Sequence, residues 1–537
     1  MKRAGMRGVE LELARQLFGS IVEGMGRVLM RSSFSANIKE RRDYSCALFD
    51  VAGRAVALGD HMPVHLGSMP AAVESVLARR PPRGGEMVVV NDPFSGGTHL
   101  PDLTLVMAYP RGASPPRYYL ANRAHHSDIG GAHPASMAPG ANEIYQEGLI
   151  LPPVRLVRDG QVDGELLGMI LANVRTPRER EADLRAQIAA NLEGSRRLEA
   201  MERRIGRSRL ARWCAAQRAY GRRMVQAALN EIPDGVYTAT EFLEGEGAQA
   251  VRLKVAIRAR RGKIKVDFNG TDPQARGNLN AVEAITRSAV FFVFRCLVRE
   301  EIPFSSGCFE MMEIEIPPGS VLSARRPAAV AGGNVETSQR VVDLVMKALR
   351  HALPDRIPAQ SCGTMTNLTM GGKDARSGEA FTYYETIAGG MGGSPAAEGL
   401  SAVHTAMTNS LNTPVEALEQ SYPLRVLHYA VRRGSGGAGR HPGGDGVVRE
   451  IQALCPAQAS LLAERHLHPP AGAQGGKSGR VGEAWLVRGR RATRIGSKVT
   501  LELAAGDALR LATPGGGGWG RRSGKRNVQA RGRLLRP

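Results

Sequence analysis

The segment Asn91–Val106 reads NDPFSGGTHLPDLTLV and places His99 and Asp102 three residues apart, between a loop broken by proline and glycine and an apolar run. The apolar run predicts a buried β-strand, so both polar side chains stand where that strand begins. An imidazole and a carboxylate in this position can hold a metal, act as a general-base pair, or form only a polar turn.

A second segment repeats this arrangement. Residues 118–131 read YYLANRAHHSDIGG, in which a strand-like run is followed by His125, His126 and then an aspartate before two glycines. Neither apolar run alternates with polar residues, which indicates strands that are covered on both faces. If the two strands are neighbours in one sheet, His99, Asp102 and one of the two adjacent histidines converge. Successive side chains of an extended chain point to opposite faces, so both adjacent histidines cannot be ligands of one ion.

Histidine and aspartate together suit a divalent metal. Six of the twelve histidines lie between residues 61 and 133, which concentrates this side chain in the first third of the chain. Imidazole and carboxylate ligands are typical of Zn²⁺, Mn²⁺ or Fe²⁺ sites that keep a position open for water. Such an ion lowers the pKa of a bound water towards ~7, which makes it a nucleophile at neutral pH. The paired segments favour this interpretation over the polar turn.

The chain is strongly basic, and its formal charge of +21 raises the alternative of a nucleic-acid binder or a non-catalytic basic scaffold. The excess is mostly arginine and lies largely in residues 178–223 and 521–537, and the chain has only 5% aromatic residues. It contains no helix-turn-helix, RNP or zinc-finger pattern. Its apolar windows are far shorter than the ~20 residues of a membrane span, and the N-terminus lacks the pattern of a signal peptide. These features predict a cytoplasmic protein.

The order of predicted elements indicates a mixed α/β fold with several layers. We expect a metal-bearing N-terminal region over residues 1–175, a charged helical region over 176–232, a glycine-rich and strand-rich region over 233–520, and a basic, disordered tail over 521–537. The glycine runs of the third region are interpreted as turns between short strands.

No glycine run fits the pattern GxxxxGK[ST] of a phosphate-binding loop, so we do not expect this chain to bind ATP.

Several motifs together point to a known family. The opening segment, NRAHHSDIGG (122–131), EIYQEGLILPPVRL (143–156), NTPVEALEQSYPL (412–424) and TPGGGGWG (513–520) resemble the hydantoinase B/oxoprolinase family, and the resemblance runs from about residue 8 to 520. The family includes B-type subunits of N-methylhydantoinase, the C-terminal half of 5-oxoprolinase, caprolactamase, and related subunits of acetone and acetophenone carboxylases.

The resemblance implies a division of labour between two subunits. A separate A-type subunit would bind ATP and phosphorylate the substrate. This chain would hold the metal at which the activated substrate is converted to product. On the matching residues, the metal ligands would be His99, Asp102 and His125 or His126. The resemblance also marks four carboxylates as candidate catalytic groups, in or around the metal site: Asp43, Glu40, Asp92 and Asp128.

The function implied is that of a metal-dependent hydrolytic B-type subunit in a hetero-oligomer. It would open a cyclic amide, such as a hydantoin, 5-oxoproline or a lactam, after phosphorylation by the A-type partner. The absence of a phosphate-binding loop agrees with this arrangement. The runner-up is the B-type subunit of an ATP-dependent acetone- or acetophenone-type carboxylase, which could use the same metal ligands.

Overall fold

The computed structural model describes residues 8–59, 62–137, 139–245 and 250–522. The predicted basic tail lies outside these ranges except for its first two residues, as does His61 of the histidine-rich region. Within them the fold is mixed α/β with several sheets, which confirms the predicted fold class.

Nine α-helices lie within the described ranges. They are α1 (Gly8–Ser32), α2 (Ala36–Lys39), α3 (His65–Arg79), α4 (Gly164–Ala172), α5 (Pro177–Ile205), α6 (Arg207–Asn230), α7 (Glu283–Cys296), α8 (Ser338–Ala352) and α9 (Val415–Ser421). A π-helical turn, Gly333–Thr337, leads directly into α8.

The strands of the first half are β1 (Tyr44–Asp50), β2 (Ala55–Leu58), β3 (Met87–Val90), β4 (Asp102–Tyr109), β5 (Tyr118–His125), β6 (Val154–Arg158), β7 (Gln161–Val162), β8 (Gly235–Glu244), β9 (Ala250–Arg260) and β10 (Lys263–Asp267). Those of the second half are β11 (Met312–Glu315), β12 (Asn367–Lys373), β13 (Ala380–Thr386), β14 (Leu424–Arg432), β15 (Gly446–Ala453), β16 (Ala457–Leu462), β17 (Glu483–Arg488), β18 (Arg491–Ile495), β19 (Lys498–Leu503) and β20 (Ala508–Ala512).

The N-terminal region is built on a seven-stranded antiparallel sheet of order β2-β1-β5-β4-β3-β6-β7. Helices α1 and α5 pack on one face of this sheet, and α3 packs on the other. Every residue of β4 and β5 is buried, which confirms that these strands are covered on both faces. The sheet is therefore the middle of three layers, and its central strands β4 and β5 lie in the interior of the protein.

The charged helical region begins with Pro177 in the first turn of α5 and is divided by Gly206, whose φ of +87° is the backbone conformation that favours glycine. Helix α5 packs on α1 and on β4 and β5, so this region covers the N-terminal sheet. The boundaries proposed for the four regions stay a prediction. None of the helices in the described ranges combines the length and apolar composition that a membrane span needs.

The rest of the chain forms three further sheets. Strands β8 to β11 make a sheet of order β11-β10-β9-β8, on which α8 packs. The other two sheets have the orders β13-β12-β16-β19 and β14-β15-β20-β17-β18. Their buried side chains form one shared apolar cluster, in which Leu368, Leu424, Ile451 and Leu509 take part. The prediction of a strand-rich C-terminal region is confirmed.

The glycine runs differ from the prediction. They do not simply turn the chain between strands but lie side by side and exchange backbone hydrogen bonds, as from Gly516 N to Gly444 O (2.9 Å) and from Gly444 N to Met391 O (2.8 Å). A Cβ atom on Gly516 would lie 2.0 Å from Met391 O. We call these packed runs, 389–393, 436–446, 472–479 and 515–520, the glycine layer. At closely approached glycines such as Gly516 and Gly444 this spacing leaves no room for a side chain, which explains why glycine stands there.

Candidate metal centre

The centre is formed where β4 begins and β5 ends. These strands are antiparallel neighbours, and their register places Asp102 directly opposite His125. His99 lies in the turn before β4 and accepts a backbone hydrogen bond from Asp102 N through its carbonyl (3.2 Å). The two segments singled out in the sequence therefore meet at one end of the two central strands, as their shared pattern predicted.

Asp102 lies between the two imidazoles. Its Oδ1 is 3.3 Å from His125 Nδ1, and its Oδ2 is 3.4 Å from His99 Nδ1. One potential ligand atom from each of the three residues lies within 4.8 Å of the other two. All three side chains are buried, with 1–2% of their surface exposed. This is a compact donor set of two nitrogens and a carboxylate in the protein interior.

The charge states of these groups suit a cation. Burial opposes ionisation of Asp102, but the neighbouring His99 and the hydrogen bonds from the histidines hold the pKa of its carboxyl well below the usual value. Burial lowers the pKa of His125, so its imidazole is neutral. The Nε2 atoms of His99 and His125 are buried without a hydrogen-bond partner among the described residues. The neutral imidazole of His125, the unpaired Nε2 atoms and the ionised carboxylate are the forms that a divalent metal binds.

Two further side chains hold the carboxylate in place. Thr98 Oγ1 donates a hydrogen bond to Asp102 Oδ2 (2.7 Å), and His65 Nε2 lies 3.3 Å from the same oxygen. His65 Nδ1 in turn contacts Ser45 Oγ at 2.8 Å. Such outer contacts orient the ligands of metal sites and raise their affinity. His65 belongs to the histidine-rich region, but the sequence offered no spacing that tied it to Asp102.

The second half of the chain also reaches the centre. The ring of Tyr384, from β13, stacks on the ring of His125 with centroids 4.5 Å apart and 21° between the planes. The Arg41 guanidinium lies 4.9 Å from the centroid of the same tyrosine ring. Tyr384 stands 259 positions after His125, and no local pattern connects them, so sequence reasoning could not find it.

Asp43 is the predicted carboxylate that lies beside the centre. Its carbonyl oxygen accepts a hydrogen bond from His125 N (3.0 Å). Burial raises the pKa of the Asp43 carboxyl, and the charges of His125 and Arg41 act in the opposite direction. Its side chain is thus in electrostatic contact with the donor set. This supports its place among the candidate site residues.

The other predicted site residues lie elsewhere. The His126 ring is directed to Gln187, with Nε2 2.9 Å from Oε1, because it points to the opposite face of β5 from His125. Asp92 accepts a hydrogen bond from Ser95 Oγ (2.6 Å) and pairs with Arg326 (2.6 Å), so it holds a turn together.

Asp128 and Glu40 also lie apart from the donor set of His99, Asp102 and His125. Asp128 pairs with Arg175 (3.0 Å) and accepts a hydrogen bond from the Arg175 backbone N (2.8 Å). Glu40 follows the short helix α2 and is half-buried, and no hydrogen bond or ion pair joins its side chain to the centre within the described ranges. Both acids were marked by the family resemblance, and a matching position in the sequence does not fix where its carboxylate points.

Comparison with known proteins identifies the lineage of the chain. The model of the family described as Hydantoinase B/oxoprolinase matches residues 7–522. The chain belongs to this family. The predicted resemblance is therefore confirmed over nearly the whole length.

Among relatives of this hydantoinase B/oxoprolinase chain, 5-oxoprolinase 1 of Arabidopsis thaliana is 37% identical over 540 residues. The alignment covers 95% of this chain but only 42% of the plant protein, so the chain spans less than half of that relative's length.

Two solved structures share the fold of this family member. The ATP-dependent caprolactamase of Pseudomonas jessenii superposes with a TM-score of 0.89 and 26% identity, covering 96% of this chain and 91% of that one. The nucleotide-free structure of acetone carboxylase superposes with a TM-score of 0.87 and 18% identity over 96% of this chain and 76% of that one. At that identity the second match shows the fold alone.

Proposed function

We propose that this chain is the metal-dependent hydrolytic subunit of an ATP-dependent cyclic amidase. The observation that carries the proposal is the donor set of His99, Asp102 and His125, buried where β4 and β5 meet. Family membership and the likeness to caprolactamase, an enzyme named for a cyclic amide and for ATP, support the substrate class. The proposed substrates are hydantoins, 5-oxoproline or lactams.

The proposed metal is a divalent ion, Zn²⁺, Mn²⁺ or Fe²⁺. A metal of this kind supplies Lewis acidity and an activated water at neutral pH. The protein contributes orientation: Asp102 fixes both imidazoles, Thr98 and His65 fix Asp102, and Tyr384 fixes the plane of His125. Because these groups are buried, the same set also shields the reacting carbon from bulk water.

An A-type partner is proposed as the source of the activating phosphate. Opening an unactivated amide ring is difficult, and phosphorylation of its oxygen would provide a good leaving group. This chain matches nearly all of a caprolactamase chain but less than half of the plant 5-oxoprolinase. Both observations agree with a unit that works beside a second unit, on a separate or a joined chain. We therefore propose a hetero-oligomer in the cytoplasm.

The proposal is tested by co-expression of this chain with a candidate A-type protein. Purified complex should contain about one divalent metal per copy of this chain and should consume ATP while opening a cyclic amide. Incubation with a chelator should reduce ring opening to background, and one of the three proposed metals should restore it. Full ring opening by metal-free complex would overturn the proposal.

The same assay separates the alternatives. ATP-dependent fixation of bicarbonate onto acetone or acetophenone, without ring opening, would establish the carboxylase alternative. A metal-free chain that is retained on DNA and released steeply by salt would establish the basic-scaffold alternative. Several arginines of α6 already pair with acids, as Arg209 does with Glu10 (3.0 Å) and Arg218 with Glu310, which lowers the charge available to nucleic acid.

Replacement of Asp43 by asparagine should weaken metal binding by ~10- to 100-fold, the range for groups that support metal ligands. The variant keeps the backbone hydrogen bond to His125 N and removes only the carboxylate charge. Metal affinity would be measured by competition with a chromogenic chelator. Asp128→Asn is the matched control, because Asp128 is also buried but is paired to Arg175, and it should leave the affinity unchanged. Equal affinities in both variants would remove Asp43 from the site.

A further inference from the structure

A carboxyl group in the second half of the chain is buried behind the metal centre. Glu336 lies in the π-helical turn Gly333–Thr337 and is completely inaccessible to solvent. Turns of this kind interrupt regular helices mostly at functional positions. Glu336 was not among the residues that the sequence marked, and the centre described above does not include it.

A line of contacts connects Glu336 to a proposed metal ligand. Glu336 Oε1 accepts hydrogen bonds from Asn367 Nδ2 (2.7 Å) and from Met365 N (3.1 Å). Asn367 Oδ1 accepts one from the Tyr384 hydroxyl (2.9 Å), and the Tyr384 ring stacks on His125. Each step joins buried groups, so the position of one side chain constrains the next.

The amide of Asn367 has only one orientation available. Its Nδ2 donates both to Glu336 and to the carbonyl of Leu462 (2.8 Å), which uses both amide hydrogens. Its Oδ1 must then face the Tyr384 hydroxyl. Without an acceptor at position 336, one amide hydrogen would be buried and unpaired, and the amide could rotate.

The Glu336 carboxyl forms no ion pair within the described residues, and the charge of Lys498 only partly opposes the rise of its pKa. Among the described residues, the nearby cations pair with other acids: Arg340 (3.2 Å) and Lys498 (2.6 Å) with Glu464, and Arg465 (2.5 Å) with Asp343. Lys347 of α8 pairs with Glu241 (2.9 Å). Glu244, at the end of β8, accepts hydrogen bonds from the backbone N atoms of Leu467 and His468. An ionised Glu336 would thus be a buried negative charge that accepts hydrogen bonds but has no ion-pair partner among the described residues, which is disfavoured.

The pKa of Glu336 agrees with this geometry. Burial raises it to about 8 from an ordinary value of 4.5, the neighbouring Glu464 carboxylate adds to the rise, and the Thr364 hydroxyl offsets part of it. The group is therefore protonated at neutral pH.

We propose that Glu336 is a positioning residue of the metal centre, which acts as a neutral carboxyl and fixes Tyr384, and through it the His125 ring, by way of Asn367. This inference rests on the proposed function, because it assigns Glu336 a role only if His125 holds a metal. A neutral acid satisfies Asn367 without adding a further negative charge near the donor set. It also makes the alignment of His125 depend on groups from both halves of the chain.

The protonation state has a direct readout that needs neither metal nor activity. Infrared difference spectra of the full-length chain should show the carbonyl stretch of a protonated carboxyl at pH 7, and Glu336→Gln should remove one such band. Glu147 provides the matched control, since burial raises its pKa to about 8 as well, but it accepts hydrogen bonds from Val330 N and Ala331 N and has no contact with Tyr384. An unchanged spectrum in Glu336→Gln would overturn the neutral state.

Stability should follow the same proton. The folded chain keeps a proton on Glu336 that the unfolded chain releases above its ordinary pKa. The free energy of unfolding therefore falls as pH rises from about 4.5 to about 8, and the contribution is fully present only below that window. The midpoint of thermal unfolding should decrease less steeply over this window in Glu336→Gln than in the unaltered chain. An identical pH dependence in both would contradict the inference.

Positioning is tested on chain loaded with Co²⁺, whose visible spectrum reports ligand geometry. Glu336→Gln, which keeps an acceptor for Asn367, should leave the spectrum unchanged. Glu336→Leu, which removes it, should shift or broaden the bands and weaken Co²⁺ binding by ~10-fold. Glu147→Leu controls for loss of a buried acid and should leave the spectrum unaltered.

The outcomes separate the two proposals. Normal Co²⁺ binding with identical spectra in Glu336→Leu and the unaltered chain would overturn the positioning role and leave the proposed function intact. No Co²⁺ binding by the unaltered chain would overturn the metal-dependent function, and the infrared band would still decide the protonation of Glu336.

Discussion

Replacement of His125 by alanine should abolish stoichiometric metal binding and lower ATP-dependent ring opening by more than ~100-fold, the upper limit for groups that only support a ligand. His125 faces Asp102 across the β4–β5 pair and has an unpaired Nε2. Elemental analysis and an assay of the complex measure both effects.

His126→Ala is the matched control for that variant. The two histidines are adjacent, His125 as the last residue of β5 and His126 just after it, and both are buried, but the His126 ring contacts Gln187 on the opposite face. His126→Ala should cost stability through the lost contact and leave the metal content at about one per chain. Full metal occupancy in His125→Ala, or loss of metal only in His126→Ala, would show that the wrong side of β5 has been chosen.

Replacement of Gly516 by alanine should destabilise the chain by more than about 4 kcal/mol, an effect reserved for severe steric or polar disruption. The new Cβ would lie 2.0 Å from Met391 O and 2.3 Å from Met391 C, which are backbone atoms that cannot rotate away. To relieve this clash the neighbouring backbone segments would have to move apart, which would break the hydrogen bond from Gly516 N to Gly444 O and the bonds beside it. We expect insoluble expression, or a strongly lowered midpoint in denaturant.

Gly168→Ala is the control for the glycine layer. Gly168 lies within α4, and a Cβ there meets no atom within 4 Å. Because alanine favours helix over glycine by roughly 0.8–1.0 kcal/mol, this variant should be slightly stabilised. A Gly516→Ala protein that unfolds at the same denaturant concentration as Gly168→Ala would disprove close packing in the glycine layer.

Much of the N-terminal region could be predicted because its signals are local. The strand-like runs of β4 and β5 each adjoin a polar cluster, which precedes β4 and follows β5, so their pairing and the convergence of His99, Asp102 and His125 followed from one assumption about neighbouring strands. The alternation rule excluded one of two adjacent histidines but could not choose between them, because that choice depends on which face of β5 meets the turn before β4.

The candidate catalytic carboxylates were harder to predict, because a position near the metal-site motifs in the sequence does not show where its side chain points. Asp92 and Asp128 lie close to the metal-site motifs, yet each is held by an arginine from elsewhere, Arg326 and Arg175. Tyr384 and Glu336 reach the centre only through the packing of distant elements. Such contacts depend on tertiary structure and leave no periodic trace in a single sequence.

The glycine layer shows a different limit. Glycine runs predict turns in most proteins because glycine adopts positive φ, and that is true here of Gly434, with φ of +76°. Gly516 is not at positive φ; what requires glycine is the approach of another backbone. Composition cannot distinguish the two causes, since both require the absence of a side chain.

The register of β4 and β5 has a consequence for how an ion would enter and leave. Because Asp102 and His125 are opposed by strand pairing alone, the ligands are preorganised in the metal-free chain, and binding need not drive folding. The same burial means that exchange is limited by local opening of the covered sheet rather than by diffusion. Loaded and metal-free chains would therefore be long-lived species, and the metal found after purification would record the ions present while the protein folded, not those of the last buffer.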